Sequence, residues 1–168
     1  MTVRLATSLD ALAIAAVRTP AWQAAYRGIL PPAYLARLER TLARAWPEGT
    51  WVAEDERGEL AGYLSSTSGH PALPAPAPEL VEIQELYVDP RRWRRGIGGE
   101  LLAVALASFA ARGAREAFLW VLEANLGARR FYETQRFRLA PPGKLVRVEG
   151  ASIPAVRYVR RLAVAPRH

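Results

Sequence analysis

VDPRRWRRGIGGELLAVALASFAAR, residues 88–112, is the stretch that decides the fold of this chain. It begins at the end of an apolar strand, passes through a turn rich in Arg and Gly, and continues with apolar residues at helical spacing. That spacing predicts a helix over 98–112, whose periodic apolar residues are Leu101, Leu102, Ala105, Leu106 and Phe109. A glycine turn that opens a helix leaves backbone N–H groups unpaired, and these groups, together with the helix dipole, favour an anion.

The turn itself narrows the kind of anion. Four of the five residues 91–95 are Arg, and Gly96, Gly98 and Gly99 follow them. Guanidinium groups around such a turn favour a ligand with more than one phosphate. The turn is not a P-loop, because no Gly-Lys-Ser/Thr follows the glycines, and Leu101 stands where a dinucleotide fingerprint needs its third glycine. The alternative interpretation also stays open at this point: the segment could be a strand-turn-helix that binds no anion and needs its glycines only for the turn.

A second segment, AFLWVLEANLGARRFYETQRF at residues 117–137, reads as a strand over 117–122 and a helix over 126–135. Asn125 stands at the helix start, where Asn is a preferred N-cap residue. The steps from Asn125 to Ala128 to Tyr132 are three and four, so these side chains share one helix face. The alternative is that Asn125 is only a cap and that Phe131 and Tyr132 are only core aromatics.

These two segments together resemble a known family. Val-x-Pro followed by Gly-Ile-Gly-x-x-Leu-Leu is similar to the pyrophosphate loop of the GNAT superfamily, the acyl-CoA-dependent N-acyltransferases. N-x-x-A-x-x-F-Y-E-x-x-x-F, at residues 125–137, resembles the family's second cofactor motif, and W-x-x-A-Y-R-G-x-x-P-x-x-Y-L, at 22–35, resembles the opening of many bacterial members. The motifs stand in the family's order along nearly the whole chain.

The resemblance implies a fold and an activity. The expected fold is α/β (of the α+β type), a single domain over 1–168 with a mixed central sheet of six or seven strands, flanking helices and splayed parallel central strands. The expected activity is transfer of the acetyl group of acetyl-CoA to a primary amine of a small molecule or protein, by direct attack in a ternary complex. The alternative is a CoA-binding sensor or partner-binding module without turnover.

The rest of the chain is interpreted in the same order. Ser8 or Asp10 is expected to cap a first helix, a second helical stretch begins at Pro31 or Pro32, and a hairpin over 50–66 turns at Arg57-Gly58. The first helix is predicted to turn Leu12, Ile14, Ala15 and Val17 toward the core. The strands are predicted over 3–6, 80–88 and 151–162, besides the hairpin and 117–122.

Roles for single residues follow from the resemblance. Tyr132 is expected to protonate the departing thiolate, and Glu82 to act as general base through water, with Glu85 as the runner-up. The alternative is that neither carboxylate is the base and that Glu82 is only a solvated charge at the start of its strand. Strand alternation predicts that Glu82, Gln84, Leu86 and Val88 share one face and that Glu85 lies on the other. A backbone N–H around Leu86 to Val88 is expected to polarise the thioester carbonyl.

Two groups of binding residues complete the expected site. The residues expected to bind the cofactor are Leu86, Tyr87, Val88, Arg94, Arg95, Gly96, Ile97, Gly98, Gly99, Glu100, Asn125, Ala128, Phe131 and Tyr132. The residues expected to line the acceptor pocket, or else to serve in packing, are Trp22, Tyr26, Arg27 and Tyr34. The loop departs from the family pattern at Trp93, where Gln or Arg is usual, and at Arg94, where Gly is frequent.

Composition limits the other classes of function. The chain has 168 residues, 51% of them hydrophobic, no Cys, two His and a formal net charge of +7. Without Cys and with only His70 and His168, no metal site is expected, and nucleic-acid binding is disfavoured because the densest basic run lies on the glycine turn. No membrane segment or signal peptide is read, so a cytoplasmic location is expected. The sequence leaves a homodimer open, and it leaves the Pro-rich loop 68–79 either beside the acceptor pocket or a plain linker.

Overall fold

The computed structural model describes residues 1–37, 49–68 and 79–163. A seven-stranded sheet runs through the described part in the order β1-β2-β3-β4-β5-β7-β6. Its strands are β1 (Thr2–Leu5), β2 (Trp51–Glu54), β3 (Leu60–Ser68), β4 (Leu80–Val88), β5 (Glu116–Leu122), β6 (Arg138–Val148) and β7 (Ala151–Arg161). The helices are α1 (Ala11–Tyr26), α2 (Pro32–Arg37), α3 (Ile97–Ala111) and α4 (Leu126–Thr134). The mixed sheet with flanking helices confirms the predicted fold class.

The two central strands part from each other. β4 and β5 are parallel, as predicted, and their pairing runs only from Leu80–Glu116 to Glu82–Phe118. β4 continues to Val88 and β5 to Leu122 without further pairing to each other. The other strand pairs are antiparallel. The splay therefore opens a gap in the middle of the sheet, toward the carboxyl ends of both strands.

Strand β4 carries a bulge that changes which residues share a face. On β3, Ser65 pairs with Glu85 and its neighbour Ser66 pairs with Ile83, so Gln84 is left as an extra residue. An extra residue in one strand shifts the side-chain alternation beyond it by one position. Glu82, Glu85 and Tyr87 consequently share one face, opposite Thr67, Ser65 and Tyr63 of β3. The prediction that Glu82, Gln84, Leu86 and Val88 share a face, with Glu85 on the other, is therefore wrong.

Each face of the sheet is covered by helices. Val81, Ile83 and Leu119 pack against α3, whose buried residues include the five that the helical spacing singled out. The opposite face packs Tyr63 and Val52 against Ile14 and Val17 of α1. The same face also packs Leu122, Val148 and Ala155 against Leu30 and Leu35 around α2. The core is thus divided into two layers by the sheet.

Helix α3 lies close to the sheet because β3 has a glycine beneath it. A Cβ built on Gly62 would lie 2.9 Å from the Tyr87 carbonyl oxygen and 3.2 Å from Leu101 Cδ1. No side chain fits in that space without displacing backbone, so Gly62 sets the height of α3 above β3 and β4.

Two predictions about the elements need correction. Leu12 is 74% exposed, because it lies two residues, or about 200°, around the helix from the buried Ile14. Strand β6 was not predicted, since it contains Pro141-Pro142-Gly143, a sequence that favours a turn. The structure accommodates these residues in a register shift between Ala140 and Lys144, on an edge strand where proline is tolerated.

Three expectations from the sequence concern membrane segments, metal sites and the Pro-rich loop. Among the described residues, no helix is long and apolar enough to cross a membrane. His70 and His168 and nearly all of the Pro-rich loop lie outside the described residues. In the described ranges no group of three or more His, Cys, Asp or Glu side chains is placed to hold a metal ion.

Candidate active site

A cavity of about 760 Å³ opens where β4 and β5 part. It is bounded by the splayed strands, the amino-terminal turn of α3, one face of α4 and the inner side of α1. Its lining includes most of the expected cofactor residues: Leu86, Tyr87, Val88, Arg94, Gly96, Ile97, Gly98, Gly99, Asn125, Ala128, Phe131 and Tyr132. The structure therefore brings the two sequence motifs together around one space, because each motif follows one of the two splayed strands.

The glycine turn presents backbone donors to this cavity. Gly96 takes the left-handed conformation, with φ of 81°, as the N-cap residue of α3. The hydrogen bond from Glu100 N to the Gly96 oxygen opens the helix, which leaves the N–H groups of Ile97, Gly98 and Gly99 without an acceptor inside the helix. These groups and the positive end of the helix dipole form an anion-binding turn.

The backbone of the turn also passes through an unusual conformation at Arg94. Its φ of 61° lies in the left-handed region, which a residue with a side chain enters only at a cost of about 1–2 kcal/mol. The sequence pattern had marked Arg94 as a position often held by Gly. Trp93 beside it donates its indole N–H to the Val88 carbonyl at 2.8 Å and stays 45% exposed at the cavity rim.

The four arginines of the turn are not equivalent. Arg91 binds the Asp89 carboxylate through Nε and Nη2, at 3.1 and 2.7 Å. Arg92 binds Asp55 at 2.6 Å and Glu59 at 2.7 Å. Within the described residues, Arg94 and Arg95 make no ion pair. The arginines that remain for an anion are therefore Arg94, which lines the cavity, and Arg95, which lies on an adjoining depression.

Helix α4 supplies the opposite wall of the cavity. Asn125 is its N-cap residue, and the Asn125 side-chain oxygen accepts the Ala128 N–H at 3.1 Å. Asn125, Ala128 and Tyr132 all line the cavity, as their spacing predicted. Phe131 lies across the turn, with its Cζ atom 3.4 Å from the position of a Cβ on Gly98. Asn125 thus both caps α4 and forms part of the cavity wall.

Tyr132 is buried at the inner end of this wall, with 8% of its surface exposed. Its ring packs edge-on against Phe131 and Phe137, at centroid distances of 5.1 and 5.6 Å. Burial, with a smaller contribution from Tyr26, raises the pKa of the Tyr132 phenol above its usual value, so the hydroxyl stays protonated at neutral pH. Within the described residues this hydroxyl has no hydrogen-bond partner.

The two candidate bases occupy different environments. Glu85 lines the cavity, but one of its oxygens accepts hydrogen bonds from Arg18 at 3.0 and 3.2 Å and the other accepts one from Tyr63 at 2.7 Å. Glu82 lies outside the cavity lining and makes no ion pair within the described residues. Its charge raises the pKa of Lys144, although burial, the larger influence, lowers that pKa below its usual value. Glu82 and Glu85 both face the α1 side of the sheet.

The expected acceptor residues are only partly at the cavity. Tyr26 lines it and shares a hydrogen bond of 3.3 Å with the Tyr87 hydroxyl. Trp22 packs against Tyr26 and Tyr34, at centroid distances of 4.6 and 5.8 Å, in the cluster around α2. Arg27 is exposed at the carboxyl end of α1. Trp22, Tyr34 and Arg27 do not line the cavity, and neither does Glu100 of the cofactor set.

Other lining residues were not predicted from the sequence. Ala21, Ala24 and Ala25 place small side chains on the face of α1 that borders the cavity. Their spacing of three and four residues is a helical signal that could have been read. Gln135 borders the glycine turn, with its side-chain amide 3.5 Å from a Cβ position on Gly99. Trp120 lines the cavity from β5, two residues beyond Phe118, the last residue paired with β4.

Comparisons with known proteins agree with this geometry. Residues 15–137 match the family model described as the acetyltransferase (GNAT) family. A "Probable N-acetyltransferase" of Mycobacterium tuberculosis is 30% identical over 165 residues, covering 93% of this chain and 91% of that protein. YuaI of Bacillus subtilis, named as an uncharacterized N-acetyltransferase, is 31% identical over 136 residues, covering 74% of this chain and 73% of that protein.

Solved structures share the fold. The ribosomal-protein-alanine N-acetyltransferase of Brucella melitensis has a TM-score of 0.71 at 21% identity, covering 96% of this chain and 100% of that one. The PaiA N-acetyltransferase of Thermoplasma acidophilum, solved in complex with coenzyme A, has a TM-score of 0.66 at 18% identity, covering 96% of this chain and 99% of that one.

The fold, the two motifs and the family match lead to one assignment. The chain belongs to the acetyltransferase (GNAT) family. It is an acyltransferase that depends on acetyl-CoA and transfers an acetyl group to nitrogen.

Proposed function

We propose that the acetyl-CoA pyrophosphate binds the turn from Arg94 to Gly99 and that an amine acceptor reaches the thioester from the α1 side of the sheet. The observation that carries this proposal is the single cavity at the splay, lined by both sequence motifs. The N–H groups at the start of α3, which have no acceptor inside the helix, suit phosphate oxygens. The gap between β4 and β5 suits a narrow pantetheine arm, because the two strands do not pair with each other beyond Glu82 and Phe118.

Tyr132 is the proposed proton donor to the departing sulfur. It is a mostly buried tyrosine on the α4 wall, and its hydroxyl has no competing hydrogen bond within the described residues. Its raised pKa keeps it in the donor form. The same raised pKa makes complete transfer to a thiolate, whose conjugate thiol has a pKa near 8.5, uphill by at least about 2 kcal/mol. Tyr132 therefore donates its proton to the sulfur as one step of a relay, in which the proton released by the attacking amine returns to the phenol and leaves the tyrosine neutral again.

Glu82 is the proposed general base, acting on the acceptor amine through water. Glu85 is nearer to the cavity, but both of its oxygens already accept hydrogen bonds from Arg18 and Tyr63. Those bonds hold α1 and β3 against β4, which is a structural use of the carboxylate. The Glu82 carboxylate makes no hydrogen bond or ion pair within the described residues, and it faces the side of the sheet from which the acceptor is proposed to enter.

The two carboxylates can be separated by a matched pair of variants. Glu82→Gln should raise the pH at which transfer becomes efficient, because an ammonium acceptor would lose its route for deprotonation. Glu85→Gln should leave that pH profile unchanged and instead lower the stability, since Arg18 loses its charged partner. A shifted profile in Glu85→Gln, with none in Glu82→Gln, would reverse the assignment.

The backbone of β4 is the proposed source of carbonyl polarisation. Beyond Glu82 the edge of β4 that faces β5 has no strand partner, so N–H groups between Leu86 and Val88 can reach a thioester oxygen. The acceptor is a primary amine of a small molecule or a protein. Tyr26 is proposed to form the wall of the acceptor site on the α1 side, and the contributions of Trp22, Arg27 and Tyr34 to that site stay predictions.

The single domain over 1–168, the cytoplasmic location and a homodimer also stay predictions.

The test is a panel of amines with acetyl-CoA, followed by release of free CoA thiol. Turnover with any amine supports the proposal and rejects a sensor without activity. Tight CoA binding in calorimetry with no thiol release across amino acids, polyamines, aminoglycosides and peptide amino termini would favour the sensor. Absence of CoA binding would reject the placement of the cofactor in this cavity.

A further inference from the structure

Two tyrosines line the cavity from opposite faces of the sheet. Tyr132 of α4 packs in the core layer that contains α3. Tyr26, the last residue of α1, packs in the cluster around α2 on the other face. A cavity lined by both residues passes through the sheet, and the gap between β4 and β5 is the passage. The two phenols therefore border the space in which an amine from the α1 side would meet the thioester.

The position of Tyr26 is fixed by a second tyrosine on β4. The Tyr26 hydroxyl lies 3.3 Å from the Tyr87 hydroxyl, within hydrogen-bond distance. The Tyr87 ring packs against Tyr63 of β3, at a centroid distance of 5.9 Å, and Tyr63 donates a hydrogen bond of 2.7 Å to Glu85. The sheet thus holds the Tyr26 hydroxyl at the cavity wall through a side chain that belongs to a central strand.

The surroundings keep the Tyr26 phenol neutral. Burial, the largest influence, raises the pKa of Tyr26, and the negative charge of Glu85 adds to this rise against the opposing effect of the Tyr87 hydrogen bond. Tyr26 in turn contributes to the raised pKa of Tyr132, so each phenol lies within the electrostatic reach of the other. Two phenols that do not ionise at neutral pH can carry a proton only by accepting one while they give another.

From this arrangement we propose that Tyr26 is a second catalytic residue, which receives the proton of the attacking amine and passes its own hydroxyl proton to Tyr132. The inference rests on the proposed function of the cavity. As the neutral amine attacks the thioester carbonyl, the N–C bond forms and the C–S bond breaks. An N–H bond of the attacking nitrogen breaks while an O–H bond forms on Tyr26. Tyr26 gives its proton through one water to Tyr132, Tyr132 gives its own to the sulfur, and CoA leaves as the thiol.

This route follows from the places of the two reacting atoms. The nitrogen arrives on the α1 side and the sulfur is proposed to lie beside Tyr132, so the proton has to cross the gap in the sheet. One bridging water is needed because Tyr26 and Tyr132 make no hydrogen bond to each other within the described residues. Glu82 acts on a different proton, the one that an ammonium acceptor loses before the attack.

The experiment measures single-turnover acetyl transfer by the full chain, with acetyl-CoA and the amine of the acceptor panel that releases thiol fastest. Tyr26→Phe should lower the maximal rate by about 10²-fold, while the KM for the amine and the affinity for CoA change by less than about threefold. The double variant with Tyr132→Phe should be less than about threefold slower than Tyr132→Phe alone, because both residues belong to one relay.

Tyr63→Phe is the matched control. It removes a tyrosine hydroxyl from the same face of the sheet, at a fully buried residue that does not line the cavity. Stability should fall because Glu85 loses a hydrogen bond, and the maximal rate should stay within about threefold of the parent value below the Tm. An equal loss of rate in Tyr63→Phe and Tyr26→Phe would assign the effect to the packing of β3 and β4 and reject the relay.

Three further outcomes overturn the inference. A raised KM for the amine with an unchanged maximal rate in Tyr26→Phe makes this residue a binding wall only. A double variant whose loss of rate is the product of the two single losses gives the two tyrosines independent roles. A normal rate in Tyr26→Phe beside a slow Tyr132→Phe rejects the inference and leaves the proposed function standing, whereas no thiol release by the parent chain with any amine rejects both.

Discussion

Two tyrosines allow the catalytic hydroxyl to be separated from a structural one. Tyr132→Phe removes a hydroxyl on the cavity wall that has no hydrogen bond within the described residues. Tyr158→Phe removes one that donates to Glu133 at 2.6 Å and accepts from Arg129 at 3.2 Å. Tyr158 is fully buried on β7, and its ring lies in the same core layer as Tyr132. The two variants therefore remove the same atom from comparable surroundings with different partners.

The two variants are expected to affect different properties: Tyr132→Phe should lower turnover, and Tyr158→Phe should lower stability. Tyr132→Phe breaks no hydrogen bond, so the free energy of unfolding should change by less than about 1 kcal/mol. Its turnover should fall by roughly 10²-fold, equivalent to about 2.7 kcal/mol of transition-state stabilisation. Tyr158→Phe should lower stability by about 1.5–3 kcal/mol, because it leaves two charged groups with one partner fewer. That loss lowers Tm by about 3–12 °C in a chain of this size.

The assay is single-turnover acetyl transfer to a known acceptor amine, with CoA affinity by calorimetry and Tm by differential scanning. CoA affinity should change little in either variant, and turnover should stay near the parent value in Tyr158→Phe below its Tm. A Tyr132→Phe enzyme with unchanged single-turnover rate would refute the proposed role. The thiolate would then leave unaided or be protonated by water, and Tyr132 would remain only part of the wall around the pantetheine arm.

The remaining predictions concern cofactor binding and pH. Gly98→Ala should fold normally, because its Cβ would meet Phe131 at an ordinary 3.4 Å, yet weaken CoA binding at least about tenfold in calorimetry by placing a methyl group in the anion turn. Gly98→Val would also press on Phe131, so alanine is the cleaner change. Charge removal at Arg94 should flatten the ionic-strength dependence of CoA affinity, whereas removal at Arg91, already bound to Asp89, should leave it nearly unchanged. Stability should be intact below pH 10 and fall above it in denaturant titrations, by up to about 1.4 kcal/mol per pH unit for each tyrosine whose folded pKa is raised, since the unfolded phenols ionise first. The tyrosines concerned include Tyr63, Tyr87 and Tyr132.

Much of the site was predictable because its motifs are local. The glycine turn, the helix that follows it and the Asn125 cap each depend on residues a few positions apart, so spacing and residue type identify them. The parallel pair of strands 80–88 and 117–122 was also predicted, since both precede a cofactor motif. The identity of the lining residues on α3 and α4 follows from these local elements.

What the sequence by itself determined is the order of the elements apart from β6, the class of the fold and the residues of the two cofactor motifs, because each rests on short-range periodicity. Only the tertiary structure decided which face Glu82 and Glu85 share, since one extra residue at Gln84 reverses the alternation and leaves no mark in the composition of the strand. It also decided which arginines remain for an anion, since Asp55 and Glu59, remote in sequence, neutralise Arg92. The placement of Lys144 over Trp120 depends on three strands meeting in one register, which is a property of the sheet and of no single segment.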